Sequence, residues 1–255
     1  MNVFVFDIET IPDCESARQI NGWQDLSSEE VGAALMAKTR AKTGSEFVPL
    51  YLQKIVAISV VYRYADKVKV WSLGNLESNE ADLIQRFFQG ISKYQPTIVS
   101  WNGSGFDLPV LHYRSLLQGV SAPEYWDVGD LDQRNRYNNY LNRYHHKHVD
   151  LMDVLAAYQA RANAPLDDIA QLLGCPGKMG MHGDKVWQAY QDGQLEQIRN
   201  YCETDVINTY LVYLRFELIR GHLDTEGYER ELQLVRETLQ SAPEAHLQAF
   251  LAAWK

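Results

Sequence analysis

Val3-Phe4-Val5-Phe6-Asp7-Ile8-Glu9-Thr10 is an apolar run that breaks into carboxylates. Short, aromatic and β-branched, residues 2–8 read as a strand buried on both faces. Side chains two apart on a strand leave the same face, so Asp7 and Glu9 point the same way. Unpartnered buried carboxylates are costly or take up protons, and something must compensate them. Hard divalent cations such as Mg²⁺ or Mn²⁺ prefer carboxylate oxygen and would do so. A strand that ends at Asp7 and meets water there is the plainer alternative.

Outward from this strand, residues 55–64 (IVAISVVYRY) and 67–73 (KVKVWSL) read as two further strands joined by a tight Ala65-Asp66 turn, an antiparallel hairpin. The spacing of Leu83, Ile84, Phe87, Phe88 and Ile91 predicts an amphipathic helix over 79–93. A fourth strand is expected at 97–101, a helix at 107–118 and a fifth strand at 148–153 running into a helix. Further helices are expected at 28–42, 166–173, 185–191, 195–220 and 226–251. Strands followed by covering helices make an α/β layered domain on a mixed sheet. The expected organisation is one domain over 1–220, with 221–255 as a C-terminal helical appendage of it.

Two later segments repeat the acidic theme. Asp107 follows the turn Asn102-Gly103-Ser104-Gly105-Phe106 at the start of a helix, where it either caps backbone N–H groups or serves a site. Asn102 could equally be a turn residue, although the turn leaves a buried strand at the edge where α/β folds place ligands. Tyr201 and Asp205, four apart in a helix, share one face, while Glu203 falls on another. Each acid has a structural explanation of its own. Two-metal phosphodiester cleavage accounts for Asp7, Glu9, Asp107, Tyr201 and Asp205 together, with two ions about 4 Å apart clamping the phosphate.

These segments resemble the three exonuclease motifs of the DEDD superfamily of 3′→5′ exonucleases, in the tyrosine (DEDDy) form, since the place of the alternative histidine is taken by Asn200. They are most similar to the proofreading domain of family-B DNA polymerases and its free-standing bacterial relatives. The phrase Asn-Gly-x-x-Phe-Asp-x-Pro-x-Leu at 102–111, continuing to Arg114, carries that likeness, as do Asp-Leu-Met-Asp at 150–153 and 166–174. The likeness spans roughly residues 1–215. It implies a ribonuclease H-like fold and two divalent cations, Mg²⁺ or Mn²⁺. By motif position Asp7 would bridge both ions, Glu9 and Asp205 would complete one site, and Asp107 would serve the other. Tyr201 would orient the attacking water. Asn102 and Phe106 would touch the terminal nucleotide by position. One departure is the stretch of about 45 residues between Glu9 and the second strand, longer than an ordinary connection.

The chain has 255 residues and a formal net charge of −9, which argues against a broad basic surface on duplex DNA but not against a nuclease whose acids are neutralised by cations. Positive charge concentrates in Gln133–His148 (QRNRYNNYLNRYHHKH), where Arg134, Arg136 and Arg143 interleave with Tyr137, Tyr140 and Tyr144. That segment is the candidate single-strand contact, with arginines on phosphates and tyrosines stacked on bases; a solvated loop whose tyrosines pack on the body is the alternative. His145, His146 and His148 lack further ligands for zinc. Three cysteines form no framework, no apolar run is long enough to span a membrane, and no signal peptide is evident, so a cytoplasmic location is expected. The resulting expectation is a free-standing exonuclease on single-stranded DNA ends, releasing nucleoside 5′-monophosphates, with any polymerase or repair partner acting in trans. An RNA exonuclease of ribonuclease D type is the nearer alternative. A non-catalytic nucleic-acid-binding or polymerase-accessory module is the other, and Tyr201 argues against it because metal binding alone does not need a tyrosine there.

Overall fold

The computed structural model describes residues 1–255. Five strands, β1 (Asn2–Pro12), β2 (Gln53–Tyr64), β3 (Lys67–Ser72), β4 (Thr97–Ser100) and β5 (His148–Asp150), form one mixed sheet in the order β3-β2-β1-β4-β5. The β1–β2 and β2–β3 pairs are antiparallel, and β1–β4 and β4–β5 are parallel. Helices flank the sheet, an α/β architecture consistent with a ribonuclease H-like fold. In chain order they are α1 (Cys14–Asn21), α2 (Ser28–Thr43), α3 (Glu80–Tyr94), α4 (Asp107–Gln118), α5 (Pro123–Trp126) and α6 (Leu151–Leu155). These are followed by α7 (Leu166–Leu172), α8 (Val186–Gln191), α9 (Leu195–Ile219), α10 (Thr225–Ser241) and α11 (Ala245–Ala253).

The period of two along β1 sorts its side chains into two cores. Phe4, Phe6 and Ile8 pack with Leu83, Phe87 and Phe88 of α3 and Leu108 of α4. Val3 and Val5 pack on the opposite face with Val206, Ile207 and Tyr210 of α9. Asp7 and Glu9 continue the second series, so the alternation that buries the strand also aims both acids toward α9.

β1 is longer than its apolar run. Past Glu9 it continues to Pro12 against β2, with a register shift between Glu9 and Thr10. Such a bulge bends the strand and re-aims its side chains. Pairing with β4 ends at Val5, which leaves the β4 side of β1 open where the acids lie.

The long connection after β1 folds as a helical hairpin. Asp13 caps the short helix α1 through the Ser16 N–H, and Ser27 with Glu30 forms a capping box on α2. Cys14, Ala17, Val31, Leu35, Val48 and Leu52 give the hairpin its own small core.

The C-terminal segment differs from the single helix expected over 226–251. Pro243 has no N–H to continue a helix and forces Ala242 into an extended conformation (ψ 134°), so α10 and α11 are separate. Val235, Leu239, Leu247, Phe250 and Trp254 of this segment lie in the same core as Val5 and Val206, so 221–255 is integral to the packing.

Candidate active site

Asp7, Glu9, Asp107, Tyr201 and Asp205 converge where β1 leaves β4. Tyr201 and Asp205 sit one turn apart on α9, the helix packed on the acid-bearing face of β1. Asp107 begins α4, and its Oδ1 accepts the Ile8 N–H at 3.2 Å, between the two strand acids. It therefore reaches across to the neighbouring strand. The Asp7 and Glu9 carboxylates and the Cys202 thiol each offer an atom within 4.8 Å of the others. The Cys202 Sγ donates to Asp7 Oδ2 and to the Asp7 carbonyl, both at 3.4 Å.

The turn before Asp107 is built by backbone constraints. Asn102 adopts a left-handed conformation (φ 65°), which asparagine tolerates. A Cβ on Gly103 would lie 2.1 Å from Ser100 Oγ, so only glycine fits there. The Asp150 carboxylate fastens the turn by accepting the Asn102 and Ser104 N–H groups at 2.9 and 2.8 Å. Asp150 holds the turn, and its charge also acts on Asp107, a role its sequence context does not announce.

Burial and mutual repulsion dominate the electrostatics. Burial, then the charges of Asp107 and Asp205, push the Asp7 carboxyl well up. Burial and the neighbouring acids, Asp7 first among them, do the same to Glu9. Burial raises Asp107 to about 7, and it raises Asp205 to about 6 against a Tyr201 hydrogen bond and the Lys178 charge, which pull the other way. Burial, then the Asp205 and Glu9 charges, drive the Tyr201 hydroxyl far up, so it stays protonated and able to donate.

Lys178 is the counter-charge that sequence reasoning missed. Its charge favours the ionised forms of Asp7, Glu9 and Asp205, and its Nζ lies 5.8 Å from the Tyr201 ring centroid. Asp167 accepts the Lys178 N–H at 2.7 Å, and Asn208 of α9 brackets Gly177 with two hydrogen bonds. A lysine in the glycine-rich stretch Gly174–Gly183 carries no periodic signal; its isolation among glycines was the available clue.

The chemistry of this donor set fits divalent cations. Four carboxylates crowd a buried space, and Asp205 Oδ1 is a buried oxygen without a hydrogen-bond partner. Hard oxygen donors around an unanswered negative charge suit Mg²⁺ or Mn²⁺.

A pH dependence follows. Asp107 and Asp205 hold protons in the ion-free folded protein between their ordinary value of 3.8 and about 7 or 6, where the unfolded chain has released them. The folded state then binds more protons than the unfolded one, so this contribution is fully present below pH ~4 and lost as pH rises through both values. In EDTA the melting temperature should therefore fall from pH ~5 to pH ~7.5, and Mn²⁺ should raise it far more at the higher pH. Calorimetry with and without Mn²⁺ checks this. An EDTA melting curve that rises over that range contradicts the buried cluster.

The remaining sequence candidates divide. Asn102 and Phe106 flank the site on the turn they were read from. Arg143 lines a cavity beside Asn102, Ser104 and Gly105, paired with Asp153 at 2.6 Å. Arg134 is engaged with Asp132 at 2.6 Å and, like Arg136, Tyr137 and Tyr144, is exposed. Tyr140 is a correction: it is buried, stacks on Tyr125 and donates to the Pro96 carbonyl at 2.8 Å, so its ring faces the core and not a base. His148 is bonded to Ser100, and His145 accepts the Asn139 N–H, so no histidine cluster forms. No helix is long and apolar enough to cross a membrane.

A mixed α/β sheet with four carboxylates and a tyrosine gathered beside the stretch of its central strand that β4 leaves unpaired is a candidate active site. The chain belongs to the family described as predicted 3′-5′ exonucleases related to the exonuclease domain of PolB, which matches residues 45–254. That span holds Asp107, Tyr201 and Asp205 and reaches through α11; Asp7 and Glu9 precede it. The chain is also 27% identical to a DNA polymerase of Archaeoglobus fulgidus over 139 residues, 54% of this chain and 17% of the relative. It is 24% identical to the catalytic polypeptide of DNA polymerase epsilon from Aspergillus fumigatus over 145 residues, 55% of this chain and 6% of that polypeptide. The corresponding Saccharomyces cerevisiae protein is 23% identical over 150 residues, with the same coverage of 55% and 6%. The chain thus matches only a small part of these relatives' length.

Proposed function

We propose that this protein hydrolyses single-stranded DNA from its 3′ end to nucleoside 5′-monophosphates. The observation that carries the proposal is the meeting of Asp7, Glu9, Asp107 and Asp205 with a protonated Tyr201 beside the stretch of β1 that β4 leaves unpaired. Two divalent ions held by these acids would polarise the scissile phosphate and lower the pKa of the attacking water. The Tyr201 hydroxyl orients that water, and Lys178 adds positive charge beside the acids, where a phosphate must approach. The water oxygen bonds to phosphorus and the P–O3′ bond breaks. The departing 3′-oxygen takes a proton and becomes the new 3′-hydroxyl of the shortened strand. Asn102 and Phe106 contact the terminal nucleotide from the glycine-rich turn. DNA is favoured because the similar relatives are DNA polymerases, and the same likeness is the ground for proposing action beside a polymerase or repair complex.

The test compares 5′-labelled single-stranded DNA, blunt duplex DNA and single-stranded RNA of equal sequence in Mn²⁺. Shortening from the 3′ end, fastest on single-stranded DNA, is expected. Preference for RNA would overturn the substrate assignment, and internal cleavage would overturn the exonuclease reading.

A further inference from the structure

The hairpin inserted after β1 contributes to the groove that leads into the carboxylates. This groove, of about 990 Å³, is lined by Thr10 beside Glu9, by Phe106 and Lys178 at the site, and by Arg40 and Phe47 of the insertion. Its volume lies at the upper end of the range for ligand sites. The insertion is fastened where the acids are. Thr10 Oγ1 donates to Gln53 Oε1 at 2.8 Å, and Gln53 Nε2 donates to the Val48 carbonyl at 2.9 Å. Val48 is buried in the hairpin's core, so Phe47 beside it is held at a fixed place. The Phe47 N–H donates to Ser45 Oγ, and the Arg40–Glu46 ion pair spans the same loop.

Phe47 is nevertheless 58% exposed. Its ring centroid lies 5.7 Å from that of Phe106, tilted by 58°, so two aromatics far apart in sequence meet on the groove lining and much of the Phe47 ring stays in solvent. An exposed phenylalanine on an anchored loop, beside the turn that carries Asp107, is suited to a flat apolar partner. Nucleobases present that partner whatever their sequence.

We infer that Phe47 is a substrate-contact residue that stacks on a base near the 3′ end, with Phe106 as the adjoining ring, so that the insertion selects single strands whose bases are free to stack. This rests on the exonuclease reading above. Loss of one base–aromatic stack corresponds to at least about a fivefold loss of affinity. The full chain is assayed in Mn²⁺ on single-stranded DNA oligonucleotides, intact or carrying one abasic residue at each of the last positions before the 3′ end. Phe47→Ala should raise KM at least about fivefold, Phe47→Tyr should restore it, and an abasic residue should penalise the wild type at one position where Phe47→Ala is indifferent. Because the side chain is exposed, Phe47→Ala should keep the wild-type melting temperature. An active wild type with Phe47→Ala at wild-type KM, or with equal abasic penalties in both proteins, overturns this inference alone. A wild type that cleaves no oligonucleotide overturns the exonuclease reading and this inference with it.

Discussion

Asp7→Asn should lose at least about a thousandfold in cleavage rate while the ion-free protein becomes more stable, by about 1–3 kcal/mol at neutral pH. Both effects have one origin. The Asp7 carboxylate lies among Glu9, Asp107 and Asp205, where burial first and then the charges of Asp107 and Asp205 push its pKa up. Without cations, the folded protein must either hold a proton there or tolerate the repulsion. Asparagine keeps the shape and leaves an oxygen to accept the Cys202 thiol, now bonded at 3.4 Å, but removes the charge. The relief of repulsion shows as a higher melting temperature in EDTA. The same change removes an oxygen donor from the metal position, so the stabilisation that Mn²⁺ gives the wild type should shrink. Destabilisation in EDTA together with lost cleavage would mean that the aspartate serves the fold. Retained cleavage would remove Asp7 from the chemistry.

The second large effect is on folding. Arg114 is fully buried, with its guanidinium forked onto Glu80 at 2.7 and 2.6 Å and its Nη1 on Asp13 at 2.5 Å. Glu80 also accepts the Ile55 N–H and the Gln118 side chain, and Asp13 caps α1. One arginine thus ties the start of the insertion, the first turn of α3 and the body of α4. Arg114→Ala leaves two buried carboxylates without their cation, and breaking such a cluster costs about 3–5 kcal/mol, a large share of the roughly 5–15 kcal/mol that stabilises a domain. Arg114→Lys should recover only part, because an ammonium cannot reproduce the fork. Denaturant unfolding measures both variants. A midpoint for Arg114→Ala equal to the wild type would contradict the role. The arginine that closes the 102–114 phrase is therefore a structural tie, set apart from the reacting atoms.

The parts of the site that were legible in the sequence obey local periods. Alternation along Val3–Glu9 placed both strand acids on one face, and the four-residue spacing placed Asp205 with Tyr201. The glycines around Asn102 announced the turn before Asp107. What was not legible depends on pairings across long stretches of chain. Lys178 acts by its charge on the acids from a loop that Asn208 and Asp167 hold, and neither bond has a sequence period. Asp150 holds the Asn102 turn from the neighbouring strand, and Cys202 meets Asp7 across the sheet–helix interface. Tyr140 read as a base-stacking residue because basic and aromatic residues alternate around it, yet its ring completes the core beside Tyr125. The strand's extension to Pro12 escaped because its hydrophobic pattern weakens after Glu9, where a bulge intervenes. Pro243 was visible, and its effect on the last helix follows from its missing N–H alone.

The most direct test of the central claim is a single-turnover time course on 5′-labelled single-stranded DNA, with Mn²⁺, with Mg²⁺ and with EDTA, for the wild type and Asp7→Asn. A ladder shortening one nucleotide at a time from the 3′ end, dependent on the cation and absent in the variant, is the predicted result. A folded wild-type protein that leaves the strand intact with either cation, or cleaves it equally well in EDTA, would contradict the account.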